Sequence, residues 1–255
     1  MKKTLILGIV AACSLLTAPV RAAGEGEAAL KSVHWSFDGI FGHYDRAELQ
    51  RGLQVYKEVC AACHGLRLIA YRNLMDLGYS EAEVKAFAAQ YQVQNEEPND
   101  EGEMYKRPAV PADRFVGPFP NDQAARAANG GALPPDLSLI VKAREGGASY
   151  VYSVLTGFTE PPAGLKKPDT LYYNQYFPGH LIAMPPPLSE GAVQYADGTK
   201  ATVDQMAYDV ANFLAWTSSP KLEIQKATGL KVMLFLIVLT GLLIAVKKKI
   251  WAAVH

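Results

Sequence analysis

Cysteine is scarce in this chain, with three in 255 residues. Cys13 lies in a segment expected to be removed, so the mature chain holds only Cys60 and Cys63. Two more ligands at similar spacing would be needed for a structural zinc site, and none is present. Net charge is also lacking: 25 basic side chains balance 25 acidic ones. That balance hides an uneven distribution. Between Gly24 and Pro220 there are 24 acidic and 16 basic residues, a net of −8, while Lys2, Lys3 and Arg21 stand at one end and Lys221, Lys226, Lys231 and Lys247 to Lys249 at the other. An acidic central domain excludes nucleic acid as a partner and favours a basic protein. With 49 % hydrophobic residues, the chain is long enough to bury one good core and is not disordered.

What is there is one compact motif. Val59-Cys60-Ala61-Ala62-Cys63-His64-Gly65 contains Cys-x-x-Cys-His, the attachment pattern of a c-type haem. Each thiol can add across one vinyl group, which brings the adjacent imidazole to the iron as proximal ligand. The competing reading is a redox dithiol. In an oxidising compartment the two thiols would pair with each other unless haem captured them.

Such a compartment is what the N-terminus predicts. Lys2 and Lys3, the apolar run Leu5 to Leu16 and the small residues Ala22 and Ala23 read as a secretory signal over residues 1–22. Val10-Ala11-Ala12-Cys13 also resembles a lipoprotein processing site, which would lipidate Cys13. Residues 23–220 then form the exported haem domain, and 221–255 an anchor with a short tail. Val232 to Val246 spans about 22 Å as a helix, short for a hydrocarbon core of about 30 Å. Snorkelling lysines and the Ile250-Trp251 extension make a single span the best reading. The lysine cluster places the C-terminus in the cytoplasm and the haem domain in the periplasm, on a single-pass protein of the inner membrane.

Helical periodicity dominates the rest, so the fold class is mainly α with long loops. Asp45 caps a helix, with Glu48 three residues on, and Leu49, Gly52, Leu53, Tyr56 and Cys60 share one face. Gly52 costs roughly 1 kcal/mol relative to alanine there, which predicts that the helix over 203–216 packs against its backbone. Further helices are expected over 66–77, 81–91, 137–144 and 150–155. Thr202 and Gln205 form a capping box for a helix presenting Met206, Val210, Phe213 and Leu214. Asn95 to Glu103 reads as a solvated acidic loop, either for solubility or as a docking surface for a basic electron-transfer partner. Gly157 to Pro187 is nearly all turn signals and aromatics, long enough to be wrapped around something flat and apolar.

A distal iron ligand could come from Met75, Met104, Met184, Met206, His34, His43 or His180. Met184 stands out, because Pro185-Pro186-Pro187 stiffens the chain behind it in an extended form. Methionine there would raise the haem potential, as suits a carrier late in a chain. Arg144, six residues before Tyr150, could pair with haem propionates, or lie exposed.

Taken together, the haem motif with Gly131-Ala132-Leu133-Pro134-Pro135-Asp136-Leu137-Ser138, Ala143-Arg144-Glu145-Gly146-Gly147, Leu155-Thr156-Gly157-Phe158, Tyr176-Phe177-Pro178-Gly179, Ile182-Ala183-Met184-Pro185-Pro186-Pro187-Leu188 and Asp209 to Trp216 resembles the cytochrome c1 family. Its members are the membrane-anchored haem subunits of ubiquinol:cytochrome c reductase, the cytochrome bc1 complex. The likeness, to the bacterial type, spans essentially the whole mature chain. It implies one haem c bound through Cys60 and Cys63, axial His64 and Met184, and propionate contacts from Arg144 and Tyr150. It also implies that a carbonyl in Pro134-Pro135 accepts the His64 ring proton. Lys142 stands where many members have a second arginine, and no extra cysteine pair braces the distal loop. The implied partners are cytochrome b, the Rieske iron-sulfur protein, a soluble c-type cytochrome and the membrane. The subunit would be an electron carrier, and the complex a quinol–cytochrome-c reductase. Rival readings are a tethered cytochrome feeding another reductase or oxidase, a haem-based sensor and a thiol oxidoreductase.

Overall fold

The computed structural model describes residues 28–95 and 97–252. The signal expected over 1–22, with Cys13, and Glu96 of the acidic loop lie outside the described residues.

The Asp45 carboxylate accepts hydrogen bonds from the amides of Ala47 (2.8 Å) and Glu48 (3.1 Å), and helix α1 follows over Arg46–Glu58. Glu48 does not close a reciprocal box; its carboxylate accepts from the Ser36 hydroxyl instead. The expected face is buried, with Leu49, Gly52, Leu53, Val55 and Tyr56 inside. Gly52 meets the late helix as its cost suggests: a Cβ there would stand 2.1 Å from the Asp209 carbonyl oxygen and 2.6 Å from Phe213 Cβ. The two backbones therefore touch, and Arg51 clamps the crossing with bonds of 3.0 and 3.1 Å to the buried Asp209 carboxylate.

Elsewhere local periodicity is overruled. The helix expected over 66–77 shrinks to a 3-10 stretch, Tyr71–Leu77, because the amides of Arg67 and Leu68 are taken by Asp136 and Ser138. Those of Tyr71 and Arg72 go to the Asp113 and Pro111 carbonyls. Helix α2 (Glu81–Ala88) has a complete Ser80/Glu83 capping box. The sequence reading missed a hairpin, β1 (Gln92–Gln94) against β2 (Lys106–Pro108), whose connection is the acidic loop. It also missed α3 (Asp122–Ala128). The helix expected over 137–144 is a run of turns: the Ser138 amide bonds the Asp136 carboxylate at 3.0 Å instead of starting a helix.

Helix α4 (Gly147–Leu155) starts from two left-handed glycines, Gly146 (φ 80°) and Gly147 (φ 56°). The long loop that follows is irregular apart from a short hairpin, β3 (Tyr172–Tyr173) with β4 (Leu181–Ile182). Its organising group is Asn174, fully buried, which donates to the Val154 carbonyl (2.7 Å) and accepts from the amides of Tyr176 (3.0 Å) and Phe177 (3.2 Å).

Thr202 caps α5 (Val203–Ser218), accepting from the Gln205 amide at 3.1 Å. Gln205 turns its side chain to Asp209 and not back to the cap. From Met206 to Ser218 every residue but Tyr208 is buried, so α5 is the central helix of the core. After Ser219, Pro220 and Lys221 comes α6 (Leu222–Trp251), whose 30 residues include no buried one. It is the one described helix long and apolar enough to cross a membrane.

Candidate haem site

The motif sits where α1 runs out. Cys60–Ala62 forms a single 3-10 turn, and the amides of Cys63 (3.1 Å) and His64 (2.9 Å) both donate to the Cys60 carbonyl. Cys60 is half-buried and Cys63 exposed, and the two are not joined to each other. Burial, with Cys63 adding to it, pushes the Cys60 thiol up to about 12. A redox dithiol works through a ready thiolate, which the burial of Cys60 disfavours.

His64 Nδ1 lies 2.7 Å from the Pro135 carbonyl oxygen. That oxygen can only accept, so the ring proton belongs on Nδ1 and the Nε2 lone pair is left for a metal. Burial lowers the His64 pKa against the opposing pull of Pro135 and Asp136, which favours the neutral ring a metal requires.

The strands of chain on either side of this bond are stitched together. The Leu137 amide donates to the Gly65 carbonyl (2.9 Å), Arg67 to the Asp136 carboxylate (2.9 Å) and Leu68 to the Ser138 hydroxyl (3.1 Å). The Tyr56 hydroxyl donates to the His64 carbonyl (2.9 Å), and the Ser218 hydroxyl to that of Ser138 (3.2 Å). Tyr56, Asp136 and Ser138 are positioning residues that the sequence reading left unassigned. Asp-x-Ser after two prolines is an Asx-turn signal that could have flagged the last two.

The other candidates come from separate segments. Met184 is half-buried just after β4, where the chain enters Pro185 to Pro187. Arg144 is exposed, donating to the carbonyl of Ala143 at 3.1 Å, and Tyr150 is half-buried on α4. A cavity of about 520 Å³ is lined by Leu155, Phe158, Tyr173, Pro186 and Leu188. Cys60, Cys63 and His64 are not in its wall, so it neighbours the loop that carries Met184 and is not the attachment point. Among the rival ligands Met206 is sealed in α5, Met75 and Met104 are exposed, and His180 Nδ1 faces the Asn174 carbonyl at 3.3 Å.

Two thiols on one turn, followed by an imidazole with Nε2 free, fit a haem bound in the manner of the c-type cytochromes. A sequence model described as the Cytochrome C1 family matches residues 35–254. Cytochrome c1 of Rhodospirillum rubrum is 49 % identical over 245 residues, covering 90 % of each chain. A mitochondrial cytochrome c1 haem protein of Solanum tuberosum is 51 % identical over 216 residues, 84 % of this chain and 83 % of that one. A cytochrome b/c1 of Bradyrhizobium diazoefficiens is 52 % identical over 255 residues, 91 % of this chain but 37 % of its own length. The chain belongs to the cytochrome c1 family. It is accordingly a haem protein of electron transport in the cytochrome bc1 complex.

Proposed function

We propose that the chain binds one haem c through thioethers at Cys60 and Cys63, with His64 and Met184 as axial ligands, and carries electrons from the Rieske iron-sulfur protein to a soluble c-type cytochrome. When bound, the haem supplies reversible one-electron iron chemistry. The observation that carries this reading is the His64 Nδ1 to Pro135 bond of 2.7 Å, which orients the ring and raises its basicity. Among the described methionines, Met184 is the one neither sealed in the helical core nor simply solvent-exposed, and its prolines hold it without a helix. Arg144 and Tyr150 are assigned to the propionates. Exposure leaves the Arg144 side chain free to swing from the Ala143 carbonyl to a carboxylate, where its fork suits bidentate bonding.

The same reading places residues 1–22 in a cleaved leader, 23–220 in the periplasm and the lysine-rich C-terminus in the cytoplasm, with cytochrome b as neighbour in the membrane. The apolar length of α6 and the family support it. The acidic loop between β1 and β2 is the docking surface for the soluble acceptor. Neutralising Glu97, Asp100 and Glu101 is expected to lower the acceptor's association rate several-fold at low ionic strength and flatten its salt dependence; unchanged kinetics in stopped flow would remove that assignment. The central test is a redox-titrated difference spectrum of the wild type and Met184→Leu. Loss of the ferric methionine–sulfur band with a fall in potential is expected, and an unchanged far-side ligand would overturn the assignment.

A further inference from the structure

A short loop before α1 is built to hold two apolar side chains in the open. The Asp38 amide donates to the Trp35 carbonyl (3.0 Å), the Trp35 amide to the Asp38 carboxylate (3.0 Å) and the His43 amide to the Ser36 carbonyl (3.1 Å). Gly39 takes a left-handed turn (φ 69°), and a Cβ on Gly42 would stand 1.9 Å from the Asp38 carbonyl oxygen, so the loop is tightly closed. At its tip Ile40 is 66 % and Phe41 82 % exposed. Nothing in the described chain covers them.

The position of this loop is fixed by the base of α6. Lys226 Nζ donates to the Phe37 and Gly42 carbonyls, one on each side of the tip. The Tyr44 amide donates to Glu223 at 2.8 Å, and Arg46 grips the same carboxylate at 2.9 and 3.2 Å. The apolar stretch of α6 is centred on Leu239. A hydrocarbon core of about 30 Å reaches roughly ten residues either way, to about Gly229. Lys226 lies about 4.5 Å beyond that edge, within a headgroup layer that is roughly 5–8 Å deep. Ile224, 66 % exposed, stands on the same first turn.

We propose that the Asp38–His43 loop is a second membrane contact, seating Ile40 and Phe41 in the lipid interface beside the span. Aromatic and aliphatic side chains at this depth are what an interfacial layer takes up. The inference rests on α6 crossing the bilayer, and the test separates the two claims. p-Benzoylphenylalanine is placed at Phe41, at Phe235 within the apolar stretch, or at Met104 in the acidic loop, in the full chain assembled in native membranes. After irradiation, adducts are identified by mass spectrometry. Lipid adducts at position 41, comparable in yield to those at 235 and several-fold above those at 104, are expected. Crosslinks from 41 to protein would show that a partner subunit covers the loop and overturn the proposal. So would an absence of adducts at 41 while 235 labels lipid. Absence of lipid adducts at 235 would instead remove the spanning helix, and the loop's role with it.

Discussion

The backbone carrying His64 is stitched from both sides, by Tyr56 on α1 and by Pro135, Asp136 and Ser138 from a distant segment. The stretch from Gly157 to Pro187, which carries Met184, hangs on one buried amide, Asn174, and a hairpin with two residues in each strand. The His64 segment is thus positioned by polar bonds made within the protein, whereas the Met184 segment depends on packing, prolines and one node. Substitutions on the two sides should therefore fail in different ways. Damage near His64 should prevent attachment, and damage near Met184 should leave haem attached but change its electronic character.

Replacing both Cys60 and Cys63 by alanine gives the largest effect: peroxidase-type haem staining after denaturing electrophoresis should fall to background. Met184→Leu should keep that stain and, being nearly volume-conserving, cost under about 1.5 kcal/mol of stability. Its potential should drop by a sizeable part of the roughly 0.8 V that axial ligation spans. A mutant that lost the stain instead would erase the distinction between the two sides. Asn174→Ala removes one of the bonds to the Val154 carbonyl, which keeps the Gly157 amide, and leaves the half-buried amides of Tyr176 and Phe177 without their acceptor, at about 1–3 kcal/mol for each group that water cannot reach. Urea unfolding should show this loss, and the methionine–sulfur band should weaken while attachment survives.

The smallest effect belongs to neither loop and serves as a control. Hydrogen bonds from Arg107 hold the Asp113 carboxyl below its ordinary range, with the Val110 amide assisting against partial burial. A carboxylate whose folded pKa is lowered stabilises the fold fully above its unfolded pKa of about 4, and that stability is lost as pH falls through the folded value. Asp113→Asn should therefore flatten the acid limb of a stability profile below about pH 4 and leave the neutral-pH spectrum unchanged.

Much of this architecture was legible wherever one local signal decided it. Asp45 and Thr202 cap the helices expected of them, and Gly52 is where the two backbones meet. Cys60, Cys63 and His64 stand out in the sequence because Cys-x-x-Cys-His is contiguous, and the structure sets them on one turn. Pro135 entered through family likeness alone, since no spacing rule links residues 71 positions apart. The helix over 137–144 was misread because helical spacing takes no account of Asp136 and Ser138 engaging Arg67 and Leu68. The hairpin over 92–108 was hidden by strands of three residues, one ending in Pro108, which periodicity and strand propensity both disfavour. Even the long loop over 157–187 was legible in outline, but Asn174 looked like one more turn residue among many.

Only Ser219, Pro220 and Lys221 separate the innermost helix of the core from the exposed apolar one, and Glu223 and Lys226 tie that junction back to the chain before α1. Such a short, braced hinge leaves no slack for the upper body to swing. With α6 across a bilayer, as proposed, the height of the Cys60–His64 turn above it is set by the fold, like a lamp on a fixed post.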